Sequence, residues 1–146
     1  MPATGGPTTV LATSDHRVAS IAVDGTKVYW VDASTSGVDT IGADGRIRSV
    51  PRAGGSAAIL ADNQAAPNKL VLLGSTLFWS TGGTWSNVSP GGDAGLWSLA
   101  TSGDAPSGLV TGRLGVSTFA VDAAHLAWFD LLDPSSDVQG LFVMSR

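Results

Sequence analysis

The side chains in this sequence that could do chemistry are carboxylates, indoles and hydroxyls. All 12 acidic residues are Asp, Glu and Cys are absent, and His occurs twice. Without Cys there are no disulfides, no thiolate nucleophile and no Cys-ligated zinc. Ser is abundant, yet no Gly-x-Ser-x-Gly elbow presents one as a nucleophile. Asp-rich loops suit Ca²⁺, which takes roughly six to eight oxygens. These Asp residues lack an Asp-x-Asp-x-Asp spacing, and Asp24 and Asp44 each precede Gly, as turn residues do. No catalytic residue, metal site or cofactor is therefore expected. Trp85 is different. It sits in the Gly/Ser/Thr-rich stretch STGGTWSNVSPGGD with Asn87 close by. An exposed indole beside Asn and Asp stacks a sugar or anchors a protein partner. The alternative is that Trp85 folds back over its own loop.

Composition says what must position these residues. The chain has 146 residues, 43% hydrophobic and 14% charged, with a net charge of −4. A mildly acidic chain is a poor match for a phosphate backbone, so no nucleic-acid partner is expected. No stretch approaches the roughly 20 apolar residues of a membrane-spanning helix. Asp without Glu, together with 19 Gly and 7 Pro, points to many turns and few helices.

An internal repeat organises the chain. SIAVDGTKVYW, KLVLLGSTLFW and TFAVDAAHLAW align without gaps, and their anchors Trp30, Trp79 and Trp128 stand 49 residues apart. Leu11, Leu60 and Leu109 keep the same spacing. Each unit reads as four short strands, in the first unit at 21–24 (a), 27–32 (b), 46–50 (c) and 57–61 (d). Gly25-Thr26 is a hairpin signal between a and b, repeated as Gly74-Ser75 and Ala123-Ala124. Asp24 and Asp122, beside two of these turns, read as turn chemistry. Strands a and b are apolar on nearly every residue, as in sheets covered on both faces. A four-strand unit of this length matches a β-propeller blade, whose period is roughly 40 to 50 residues. The expected fold is all-β, a partial or half propeller of three antiparallel four-stranded units. It forms a single repeat domain over 1–146, with strand d at 8–12 and blades at 20–61, 69–111 and 118–146, the last lacking strand d. A β-sandwich is the alternative.

The segments IAVDGTKVYWVD, GRIRSVPRAGG and AAILA resemble YWTD-type propeller repeats, and more closely the bacterial repeats with a VDxxxVYW pattern. Tyr29-Trp30-Val31-Asp32 stands where those families have Tyr-Trp-Thr-Asp. The resemblance implies six blades in the intact ring and an extracellular or cell-envelope setting. It says little about activity, because propellers host unrelated functions. The amino terminus lacks the basic start and apolar core of a signal peptide.

In propellers the d–a and b–c loops share one face. Here the long b–c loops would crown it, presenting Asp32, Trp85, Asn87, Asp130 and Asp133 as candidate ligand-binding residues. Asp39, Asp44, Asp93 and Asp137 lie on the same loops. His16 falls on this face and His125 on the other, which argues against a two-His site. Arg46, Arg48 and Arg52 read as a solvated outer edge. The function expected is a non-enzymatic binding scaffold for a protein or carbohydrate ligand. The alternatives are a fragment of a propeller hydrolase or lyase, or a truncated chain without independent function. Three blades leave two open faces. Either two copies pair into a six-bladed ring, the strand at 8–12 of one completing the last blade of the other, or the chain is part of a longer one.

Overall fold

A computed structural model of the chain describes residues 5–37, 40–82, 85–86, 89–90, 94–133 and 138–146. Its strands are β1 (Val18–Val23), β2 (Lys27–Asp32), β3 (Ser36–Gly37), β4 (Thr40–Ile41), β5 (Gly45–Pro51), β6 (Ala58–Gln64), β7 (Pro67–Leu73) and β8 (Thr76–Thr81). They continue as β9 (Trp85–Ser86), β10 (Ser89–Pro90), β11 (Ala94–Ala100), β12 (Ser107–Arg113), β13 (Val116–Val121), β14 (His125–Leu131) and β15 (Gln139–Ser145). Among the described residues there is no helix, and so none long and apolar enough to cross a membrane.

The architecture is a partial propeller. The first blade is the antiparallel sheet β1-β2-β5-β6, the second β7-β8-β11-β12, and the third the three-stranded β13-β14-β15. Equivalent backbone bonds recur in all three. The amide of Arg52 donates to Thr26 at 2.8 Å, that of Thr101 to Ser75 at 2.8 Å and that of Arg146 to Ala124 at 2.9 Å.

Alternation along each strand sends successive side chains to opposite faces of a blade. On β8, Leu77 and Trp79 face the first blade and Phe78 faces the third. The first core joins Tyr29, Val31 and Ile47 to Leu70, Leu77 and Trp79. The second joins Phe78 and Leu96 to Phe119, Leu126 and Trp128. The middle blade is therefore covered on both faces, as its apolar strands require. The outer blades are not, although their strands are just as apolar. Ile21 and Val23 are 67% and 60% exposed on the first blade, and Leu141 and Val143 are 66% and 67% exposed on the third.

The structure differs from the sequence expectations in detail. The segment expected as a strand at 8–12 is in no strand. The a and d strands are longer than expected, so only residues 65–66 connect β6 to β7. Ala66 makes that reversal in the left-handed region, with φ of 50°. The a–b turns are closed in two ways. Gly74 uses a φ of 59°. In the other two blades a carboxylate does the work: Asp24 accepts from the amides of Thr26 and Lys27, and Asp122 from those of Ala124 and His125. That is why Ala123-Ala124 turns as tightly as a Gly-containing pair.

Trp79 is fully buried where the first two blades meet. Trp79→Ala is expected to cost about 3–5 kcal/mol in urea unfolding, the range for deleting a packed aromatic ring. A loss below about 1 kcal/mol would mean that the blades do not pack through this ring.

Candidate functional site

Two of the long b–c connections carry short paired strands. In the first, β3 pairs with β4 through Ser36 and Ile41 and through Gly37 and Thr40. In the second, β9 pairs with β10 through Ser86 and Ser89 and through Trp85 and Pro90. The hairpins then pair with each other, Ile41 opposite Trp85. The result is a second kind of sheet, β3-β4-β9-β10, built across two blades from loop residues alone. Nothing in the repeat signals it, because these residues lie between the repeated strands.

The base of the first hairpin is tied by polar contacts. Asp44 accepts from the Thr35 amide at 2.9 Å and from its hydroxyl at 2.7 Å. These donors hold the Asp44 carboxyl below the usual carboxylate range. Ser34 Oγ donates to the Gln64 carbonyl and accepts from the Ala66 amide, each at 3.0 Å, which locks the hairpin to the d–a turn. His16 is partly buried beside it, with Nε2 3.6 Å from Asp44 and Nδ1 3.3 Å from Asp15.

The candidate residues divide. Trp85 lies at the centre of the loop sheet by its backbone position. Asn87, Asp39, Asp93 and Asp137 lie outside the described residues. Asp133 is exposed just beyond β14. Asp32 and Asp130, expected on the open face, are instead fully buried at the ends of β2 and β14. Asp32 accepts from Ser14 Oγ at 2.7 Å, from Trp30 Nε1 at 2.8 Å and from Arg48 at 3.3 Å. Arg48 also lies over the Trp30 ring, 5.2 Å from its centroid. It is therefore an internal cation rather than part of a solvated edge. Asp130 accepts from Arg113 and from the Gly115 amide. A buried carboxylate persists because such donors replace its water. In the middle blade the same position is Thr81, whose hydroxyl accepts from Trp97 Nε1 at 3.1 Å.

The three anchor tryptophans are served unequally. Trp30 Nε1 reaches Asp32, and Trp79 Nε1 reaches Gln64 Oε1 at 2.9 Å. Trp128 Nε1 is buried without a hydrogen-bond partner among the described residues. The position equivalent to Gln64 in the repeat is Arg113, a donor that cannot accept from it.

On the opposite face, Tyr29 OH donates to Asp24 Oδ2 at 2.8 Å. Burial, and then the Asp24 carboxylate, push the phenol up to about 12. The Asp24 carboxyl is held well below the usual range by the amides of Thr26 and Lys27 and then by Tyr29. Asp122 is lowered in the same way by the amides of Ala124 and His125. His125 Nδ1 lies 3.6 Å from Asp122, in a cluster separate from that of His16. Among the described residues no group of three or more His or Asp is placed to hold a metal ion.

No protein-family model matches the sequence, and no curated protein matches it. A solved structure does. The crystal structure of a nidogen–laminin complex is similar with a TM-score of 0.61 over 94% of this chain, at 21% identity. At that identity the likeness speaks for the fold alone, and it agrees with a partial β-propeller. This chain spans about half, 52%, of the length of the chain it matches.

Two measurements check these sites. Asp32→Ala leaves the Trp30 indole and Arg48 without their acceptor, and is expected to destabilise the chain by about 1–3 kcal/mol. No loss in urea unfolding would contradict the clamp. Tyr29 is the only tyrosine, so tyrosinate absorbance reports it alone. Its raised pKa contributes stability that is intact below about pH 10, the unfolded value, and is lost as pH rises through about 12. Asp24 has the opposite sign. Its contribution is present above about pH 4 and is lost as pH falls through the lowered folded value. The native phenol is expected to titrate near 12, and Asp24→Asn to lower that midpoint while burial keeps it above about 10. A native midpoint at the ordinary value would refute the pairing.

Proposed function

We propose that this chain is a propeller module of a six-bladed ring that binds a protein or carbohydrate partner without catalysis, through the face that carries the loop sheet. The observation behind this reading is the pairing of two loops from different blades into one sheet, with Trp85 at the junction. Loops on a rigid scaffold are the usual home of recognition. Cross-pairing ties the two loops to each other at Ile41 and Trp85, and a contact made in advance reduces the ordering cost on binding. Asp133 flanks the same face from the third blade, and Asn87 belongs to the Trp85 loop. Asp32 and Asp130 act from below, by fixing the strand ends from which the loops depart. The similar solved structure is itself a complex between two proteins, nidogen and laminin, which favours a protein partner. The sequence resemblance favours a bacterial protein of the cell envelope or exterior.

Intrinsic tryptophan fluorescence, read against a panel of oligosaccharides and envelope-protein fragments, tests the proposal. A ligand that shifts the emission should bind at least about tenfold more weakly to Trp85→Ala, as expected for an aromatic anchor. Binding untouched by that substitution, or turnover of a glycoside or ester without binding at this loop, would refute it.

A further inference from the structure

The two open ends of the blade stack are complementary to each other, position by position. On the first blade the outer face carries the exposed Ile21, the half-buried Val28 and, already buried beneath them, Trp30. One repeat later these positions are Leu70, Leu77 and Trp79, all buried against the first blade. On the third blade the outer face presents Phe129 and Leu141, paired across β14 and β15. Their counterparts are Val31 and Ile47, likewise paired across β2 and β5 and fully buried against the second blade. Each open end is thus one half of the contact that already joins blades within the chain.

A missing strand repeats the same complementarity. β6 and β12 each cover the outer edge of their blade, whereas the outer edge of β15 has no strand on it among the described residues. Moved back by the repeat, β6 and β12 both fall on residues 9–15. That segment holds the strand-d position of the repeat and pairs with no strand among the described residues. It enters the first blade as β6 enters the second: the Ala33 amide donates to the Arg17 carbonyl at 2.8 Å, and the Gly82 amide to the Ala66 carbonyl at 2.9 Å. A groove of about 490 Å³ separates the segment from Ile21, Val28 and Trp30. The segment thus holds the place that the outer strand of a preceding blade would take, with room beside it.

The geometry points to another copy of this chain as the occupant of both ends, docked head to tail. Residues 9–15 of one copy add to β15 of the next, and the third blade of that copy covers Ile21 and Val28 of the first. Strand addition to a free edge supplies main-chain hydrogen bonds, and the apolar faces supply burial. Such a contact is heterologous and closes only if the rotation matches. The number of chains rests on the six-bladed reading, which gives two, and two copies also supply about the length of the similar chain, of which one copy spans 52%.

Light scattering on a size-exclusion column, across a dilution series of the full chain, should give twice 14.7 kDa. Ile21→Asp and Leu141→Asp sit at opposite ends and on exposed side chains, so each should yield a folded monomer. An equimolar mixture of the two should recover a dimer joined through its one intact contact. Val10→Pro with Leu11→Pro changes only the exchanged segment and should also give a monomer. A native monomer with the expected β-sheet circular dichroism would overturn the proposal. So would a dimer that tolerates either aspartate, or one that survives the double proline. A closed assembly of more than two chains that all three variants abolish would uphold strand exchange and refute the six-blade count. Glycan or protein binding by a monomer would leave the scaffold reading standing alone.

Discussion

The structure depends on one contact used repeatedly: the apolar face of one blade set against the opposite face of the next. Tyr29, Val31 and Ile47 make it against Leu70, Leu77 and Trp79, and the second core repeats it one blade on. A four-stranded sheet alone buries too little to be stable, so each blade needs a neighbour. Spacing of the repeat fixes which residues meet, because an identical offset places identical positions at every junction. The exposed ends follow from the same rule, since they carry the same apolar positions without a neighbour.

Polar groups are arranged so that this contact can form. Strands that run apolar on both faces still carry Asp32 and Asp130 at zero exposure, and each is surrounded by cations or amides. These clamps fix the strand ends where the long loops begin. The loops are then free to differ in sequence and to pair with one another. On the other face Asp24 and Asp122 close the a–b hairpins. The hairpin carboxylates Asp24 and Asp122 and the loop sheet therefore sit on opposite faces of the molecule.

Blade architecture was legible in the sequence because it rests on spacing. Three tryptophans with matching flanks place the strands within a few residues, and the turn roles of Asp24 and Asp122 follow from position alone. Burial of Asp32 and Asp130 was not legible. Their partners are Ser14 and Arg48, and Arg113 and Gly115, which the fold brings close from other strands and connections. The loop sheet was hidden for a related reason. Ile41 and Trp85 belong to segments outside the repeat, and only the stacking of two blades sets them opposite each other. Residues 9–15 show the reverse case. By the repeat they occupy the position of β6 and β12, yet they pair with no strand among the described residues.

Hydrogen exchange along β15 tests most directly whether blade contacts extend beyond a single chain. At concentrations where copies associate, the outward-facing amides of Gln139–Ser145 should be protected as strongly as those of β5 and β11, and this protection should fade on dilution. Rapid exchange of those amides at every concentration, beside protected β5 and β11, would contradict the claim.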